Sequence, residues 1–132
     1  MIRVLAICKS NIFLNGIKST LLSSGIEMVS MCNDSSEGVT CYKKIKPHIV
    51  IADANWTNKI YAIPGTKLIQ QLIAYDPAAK IIIATNIYEP DVVEEMKQLK
   101  IRGYFYRSMN NILSEIVNCI RDVYEGKECF AD

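Results

Sequence analysis

Short apolar runs recur along the chain, and the polar-apolar stretches between them are long enough to form a helix. The runs from which strands are predicted are residues 2–8, 27–31, 48–52, 80–84 and 103–106. Three of these runs are continuously apolar, a pattern typical of parallel strands that are covered on both faces. The sequence therefore predicts a parallel sheet of five strands.

The intervening stretches repeat apolar residues at spacings of three and four, as amphipathic helices do. Glycine and proline mark most of the ends, because neither continues a helix well. Five helices are predicted: from Ile12 to Gly25, from Gly38 to the residue before Pro47, from Thr66 as N-cap after Pro64-Gly65 to Asp76, from Pro90 to Leu99, and over 109–125. Strands and helices thus alternate, and right-handed crossovers place the helices on both faces of one sheet.

Composition narrows the classes of partner. The chain has 132 residues, which fits one domain, and its 15 Lys and Arg residues nearly balance 14 Asp and Glu. No stretch concentrates the basic residues, so direct nucleic-acid binding is not expected. The apolar runs are short and the N-terminus lacks the pattern of a signal peptide, so we expect a cytoplasmic protein without membrane contact.

The cysteines do not form a recognisable framework. The five are Cys8, Cys32, Cys41, Cys119 and Cys129, with no CxxC pair, and His48 is the only histidine. A structural zinc site or a set of disulfides is therefore not expected. Cys8 and Cys119 lie in apolar patterns and are predicted to be core residues, although a redox role of Cys8 stays open.

Polar residues end the predicted strands, which is where doubly wound sheets gather their chemistry. The first strand ends in Cys8-Lys9, the third in Asp53 with Asn55 close behind, the fourth in Thr85, and the residue after the fifth is Arg107. A single carboxylate would therefore face two cations and a hydroxyl.

These strand ends resemble the receiver domain of two-component response regulators over nearly the whole chain. IRVLAICKS is similar to the family's first strand, PHIVIADAN to the strand with the phospho-accepting Asp, IIIATN to the strand ending in Thr or Ser, and GYFYRS to the strand ending in Lys. The resemblance implies a flavodoxin-like α/β fold, a doubly wound five-stranded parallel sheet of strand order 2-1-3-4-5 with five helices.

The resemblance also implies the roles of individual residues. Asp53 would be the phospho-acceptor, with Lys9, Thr85 and Arg107 around the phosphate, and Thr85 with Tyr104 would form the conformational switch. The family's partners would be a histidine kinase or another signalling protein and a second copy in a homodimer, through a face that the sequence does not specify. No enzymatic activity is implied.

The end of the chain is similar to the start of a linker in regulators that have a helix-turn-helix output domain. We therefore predict a receiver domain over 1–126 and the start of a linker or a C-terminal tail over 127–132. DNA would be bound only through an output domain that this chain lacks. A stand-alone receiver is the competing interpretation.

Three departures from the family pattern bear on function. Cys8 and Lys9 replace two acidic Mg²⁺ ligands, so the set Cys8, Lys9, Asp53 and Asn55 is a degenerate metal site. A thiol is a poor ligand for a hard cation and an ammonium repels it, so no cofactor is expected and Mg²⁺ binding should be weak or absent. Arg107 replaces a lysine with a larger planar group, and the segment after Asp53 is longer than in the family.

Three functions remain in view. The leading one is an atypical receiver with weakened or absent Mg²⁺-dependent phosphorylation at Asp53, in which Lys9 either pairs with that carboxylate or points to solvent. The second is a conventional phospho-accepting receiver, favoured by the presence of Asp53. The third is a small-cofactor-binding domain of the same fold, which the lack of a glycine-rich loop after the first strand disfavours.

Overall fold

The structure is a computed structural model, which describes residues 1–7, 11–32, 37–53, 62–85, 90–106 and 112–130. Six strands and five helices lie within these ranges. In chain order they are β1 (Ile2–Ile7), α1 (Asn11–Ser23), β2 (Ile26–Cys32), α2 (Gly38–Ile45), β3 (Ile49–Asp53), α3 (Ala62–Tyr75), β4 (Ile81–Thr85), α4 (Pro90–Gln98), β5 (Gly103–Tyr106), α5 (Ile112–Tyr124) and β6 (Cys129–Phe130).

The strands form one parallel sheet of order β2-β1-β3-β4-β5-β6. The doubly wound α/β fold and the order 2-1-3-4-5 of its first five strands are confirmed. The chain order reverses at β1, which pairs with β2 on one side and with β3 on the other. The sheet gains β6, a strand of two residues that the sequence pattern does not predict.

Two apolar clusters cover the two faces of the sheet. Side chains of α1 and α5 pack on one face, beside Val4 and Ala6 of β1, and side chains of α2, α3 and α4 pack on the other, beside Leu5 and Ile7. This division follows from the strand geometry, because successive side chains point to opposite faces. The continuous apolar runs of the sequence are needed because both faces are buried. None of the described helices is long and apolar enough to cross a lipid bilayer.

The predicted start of α3 is wrong. The helix begins at Ala62, before Pro64-Gly65, and not after these residues with Thr66 as its N-cap. Proline is compatible with the first turn of a helix, where the backbone N–H groups have no intrahelical partner. The Pro-Gly pair therefore lies inside the helix and does not precede it.

The end of α5 reverses the chain toward the sheet. Gly126 has φ +93°, and the amide N–H groups of Gly126 and Lys127 donate to the carbonyls of Val123 and Asp122 at 3.0 and 2.9 Å. This is the Schellman arrangement, which glycine favours because it adopts positive φ without steric cost. The turn returns the chain along β5, and β6 forms there.

The sixth strand brings two cysteines together. Cys119 of α5 is 1% exposed, as predicted for a core residue, and forms a disulfide with Cys129 of β6. The sequence predicts no set of disulfides and does not indicate this pair, because the pairing depends on a strand that the sequence pattern does not reveal. Cys41 is not disulfide-bonded. The division into a domain over 1–126 and a tail over 127–132 stays a prediction.

Candidate functional site

Four strands end side by side at one edge of the sheet. Ile7 lies opposite Ala52, Asp53 opposite Ala84, and Thr85 opposite Tyr106. Neighbouring strands are about 4.8 Å apart, so the backbones of Asp53 and Thr85 lie on adjacent strands at the same edge. This edge is next to the point where strand order reverses, where ligands of doubly wound folds bind.

The predicted pocket is only partly visible. Cys8, Lys9, Asn55 and Arg107 lie outside the described residues, and of Asp53 and Thr85 the structure describes the backbone alone. The phospho-acceptor, the phosphate pocket and the degenerate metal site therefore stay predictions. Within the described ranges, no three His, Cys, Asp or Glu side chains are grouped as a metal site would require.

Tyr104 is the one predicted site residue whose side chain is described. It lies in β5 opposite Ile83 and is 1% exposed, in the cluster beneath α2, α3 and α4. The position fits a ring that is turned inward, and the switch role itself stays a prediction.

Gly38 brings α2 close to the end of β1. A Cβ atom at this position would lie 2.6 Å from Cδ1 of Leu68 and 3.1 Å from Cδ1 of Ile7. Ile7 is the last residue of β1 and immediately precedes Cys8-Lys9. A side chain at this position would have to displace the end of the Leu68 side chain, so glycine favours this close packing. The sequence indicates Gly38 only as the start of a helix and gives no sign of this contact.

The opposite edge of the sheet, at the N-terminal ends of the strands, holds a set of polar contacts. Arg3 donates from its guanidinium to the carbonyls of Lys46 and Ile45 at 3.1 Å each, and its backbone N–H donates to Nδ1 of His48 at 2.9 Å. Lys80 donates to the carbonyl of Tyr124 at 2.9 Å. These donors satisfy carbonyls near the ends of α2 and α5, where helices lack intrahelical partners.

A tyrosine–aspartate pair joins α2 to the end of α3 at the same edge. The Tyr42 hydroxyl donates to Oδ2 of Asp76 at 2.7 Å, and the ring of Tyr42 contacts the edge of Tyr75. Burial, and then the hydrogen bond to Asp76 and its negative charge, raise the pKa of Tyr42 well above its usual range. The neutral hydroxyl is therefore the form that the fold requires.

Sequence comparisons give a distant relationship. No family model matches the chain. Protein CcdB of Bacillus subtilis strain 168 is 23% identical over 107 residues, which are 81% of this chain and 86% of that protein.

Solved structures give a closer likeness in fold. A LuxR-family two-component response regulator from Aurantimonas sp. SI85-9A1 superposes with a TM-score of 0.84 at 21% identity, over 96% of this chain and 87% of that one. The isolated REC domain of RcsB from Salmonella enterica serovar Typhimurium gives a TM-score of 0.83 at 20% identity, over 99% and 94%. The chain therefore has the fold of response-regulator receiver domains.

Proposed function

We propose that the chain is the receiver module of a two-component signalling protein and that its Asp53 pocket does not use the usual Mg²⁺-dependent phosphorylation. The module acts without enzymatic activity, in the cytoplasm, and controls an output domain through conformation or dimerisation. Support comes from the receiver fold, and from the position of Asp53 at the end of β3 next to the reversal in strand order. A histidine kinase or another signalling protein is its partner.

The residue pair Cys8-Lys9 carries the proposal that the pocket is atypical. It follows directly on β1, whose last residue lies opposite Ala52, the neighbour of Asp53 in β3. Mg²⁺ requires hard oxygen ligands in octahedral geometry, usually including carboxylates. A thiol, an ammonium and one carboxylate do not form such a set, so the residues present do not fit the metal that the family uses.

Cations of the chain itself take over part of the electrostatic role that Mg²⁺ would otherwise have. An ammonium about 4 Å from a carboxylate gains about 4 kcal/mol at an effective dielectric near 20, before desolvation. In this proposal Lys9 pairs with Asp53 and holds the pocket in one state, with Arg107 as a second cation. Tyr104 lies in β5, two strands away from β3, and its ring is buried.

A conventional phospho-receiver is the second candidate. The observation that favours it is Asp53 itself, because a site that has lost phosphorylation has no need of an acceptor at the end of β3. Phosphoryl transfer depends mainly on positioning and on stabilising the charge of the equatorial oxygens. Lys9 and Arg107 would then have to supply that stabilisation without a metal.

Labelling with a phosphodonor distinguishes the two candidates. The protein is incubated with acetyl phosphate, and separately with a phosphorylated histidine kinase, with and without Mg²⁺, and phosphorylation is measured by intact-mass spectrometry. We expect no labelling that Mg²⁺ stimulates. Labelling that rises with Mg²⁺ and is lost in Asp53→Asn would establish the conventional receiver and refute our proposal.

Lys9→Asp tests the cause. If the missing acid limits the chemistry, this variant is labelled in Mg²⁺ faster than the parent, and the gain is lost when Asp53→Asn is added. If Lys9→Asp is labelled no better than the parent, the replacement at position 9 does not explain the absence of phosphorylation.

A further inference from the structure

The contact between α5 and β6 stands apart from the Asp53 pocket, and its function is not part of the proposal above. Cys119 and Cys129 have Cα atoms 5.4 Å apart, inside the range of roughly 4.4–6.8 Å that disulfides require. We infer that this disulfide forms and breaks reversibly and thereby controls whether β6 stays paired with β5. The reactant is a low-molecular-weight disulfide of the glutathione type.

The strand is short, so the cross-link contributes a large part of its attachment to the sheet. β6 has two residues, paired through Gly103 with Cys129 and Tyr104 with Phe130, and the backbone N–H of Cys129 donates to the carbonyl of Arg102 at 2.8 Å. So short a strand on an exposed edge contributes few hydrogen bonds and little buried area. A covalent bond to α5 therefore changes the fraction of time that β6 is attached.

Gly103 leaves the space that the Cys119–Cys129 disulfide occupies. A Cβ atom at this position would lie 3.0 Å from the carbonyl oxygen of Cys129 and 3.3 Å from Sγ of Cys119. Any larger residue at position 103 would press on both ends of the cross-link. The close approach of β6, α5 and β5 thus coincides with the absence of a side chain.

The two cysteines differ in exposure in the way that thiol–disulfide exchange requires. Cys129 is half-buried, whereas Cys119 is 1% exposed and can react only with a sulfur that is already beside it. The Cys129 thiolate attacks one sulfur of the small disulfide and releases one thiolate. The Cys119 thiolate then attacks the Cys129 sulfur and releases the second, and the two protons lost by the cysteines are taken up by the two leaving thiolates.

The reduced state is also compatible with the fold. Free cysteine is a small apolar side chain that packs well in a core. Reduction therefore frees β6 while Cys119 stays packed in the core as a small apolar side chain.

Release of β6 changes the surface on both sides of β5. Cys129 packs against the cluster beneath α1 and α5, and Phe130 packs against the opposite cluster, where Nζ of Lys97 in α4 lies 4.7 Å from its ring centre. Detachment uncovers apolar side chains at α4 and α5 and the unpaired backbone groups of the β5 edge. Such an edge pairs readily with another strand.

The test compares the oxidised and reduced protein without any phosphodonor, so its result is independent of the Asp53 pocket. The full chain is equilibrated in oxidised or reduced glutathione, the cross-linked peptides are identified by mass spectrometry, and amide exchange is followed by NMR. We expect a Cys119–Cys129 bond in the oxidised protein. The Cys129 amide should exchange more slowly in the oxidised protein than in the reduced protein, by about tenfold or more. The Val50 amide, which donates to Lys80 inside the sheet, should exchange equally in both states.

Two variants complete the test. Cys129→Ser should show the fast exchange of the reduced protein under both conditions, at residue 129 and in the neighbouring strand. Cys41→Ser, which removes a free and partly exposed cysteine, should behave as the parent. A persistent mixed disulfide at Cys129, a bond between other cysteines, or equal Cys129 exchange in the oxidised and reduced protein would overturn the inference.

Discussion

The two ends of the strands, which form the N-terminal and C-terminal edges of the parallel sheet, use charged residues in different ways. At the N-terminal edge, Arg3 and Lys80 donate to backbone carbonyls at the ends of α2 and α5, and Tyr42 donates to Asp76. At the C-terminal edge, Lys9 follows β1, where the family that the chain resembles has an acid. The first set satisfies groups that the fold itself leaves unpaired. Lys9 lies outside the described residues, and its role is the one proposed above.

This difference shows where to look for function in a doubly wound protein. Charges that satisfy helix ends stabilise the native state, so replacing them should lower the free energy of unfolding. Charges at the C-terminal ends of the strands should instead affect ligand binding and chemistry, so replacing them should change those properties. Substitutions at the two edges should therefore change different observables.

The largest effect is expected from Cys8→Asp/Lys9→Asp. Two carboxylates replace a thiol and an ammonium directly after β1, so the affinity for Mg²⁺ measured by calorimetry should rise by about a hundredfold or more. The thermal midpoint should change little. Cys8→Ser/Lys9→Met is the matched control, since it removes the cation without adding an acid and should give a much smaller gain. Equal Mg²⁺ affinity in the parent and the double Asp variant would show that position and charge at this edge do not control the metal.

Arg3→Met should act at the other edge and on stability alone. It removes two hydrogen bonds from a guanidinium to the carbonyls of Lys46 and Ile45, which we expect to cost about 1–2 kcal/mol of unfolding free energy. Urea unfolding measures the difference. Lys18→Met, on the exposed surface of α1, should stay within about 0.5 kcal/mol of the parent. If the two variants lose equal stability, the carbonyl contacts of Arg3 are not stabilising.

Tyr42→Phe should give the smallest effect at neutral pH and a distinct one in alkali. Loss of the hydrogen bond to Asp76 should cost about 1 kcal/mol. The pKa of Tyr42 is raised in the folded protein, so above the ordinary tyrosine value of 10.0 the unfolded chain loses this proton first and stability falls as pH rises.

The alkaline part of the curve is the discriminating measurement. Tyr42→Phe should lose stability less steeply than the parent above pH 10.0, because the group that resists ionisation in the fold is gone. Tyr75→Phe, which removes a hydroxyl from a residue that is 50% exposed, should follow the slope of the parent. Parallel slopes for the parent and Tyr42→Phe would contradict the burial of that hydroxyl as the cause.

Local patterns predict most of this fold because the signals repeat at every element. Apolar runs such as IVIA before Asp53 predict strands that are buried on both faces, and the alternation with amphipathic helices predicts the doubly wound sheet. The start of α3 is mispredicted because Pro64-Gly65 is compatible with both a turn and a first helical turn. The polar strand ends are also visible in the sequence, and the structure places Asp53 and Thr85 on adjacent strands at one edge.

The sequence by itself determined the order of the first five strands and the five helices, the burial of Cys119, and the presence of Cys8-Lys9 directly after β1. Tertiary structure alone decided the contacts between distant residues: the Tyr42–Asp76 hydrogen bond, the close approach at Gly38, and the disulfide that joins α5 to β6. The physical reason is that periodicity reports which face of an element is buried. It does not report which side chain, from another part of the chain, lies against that face.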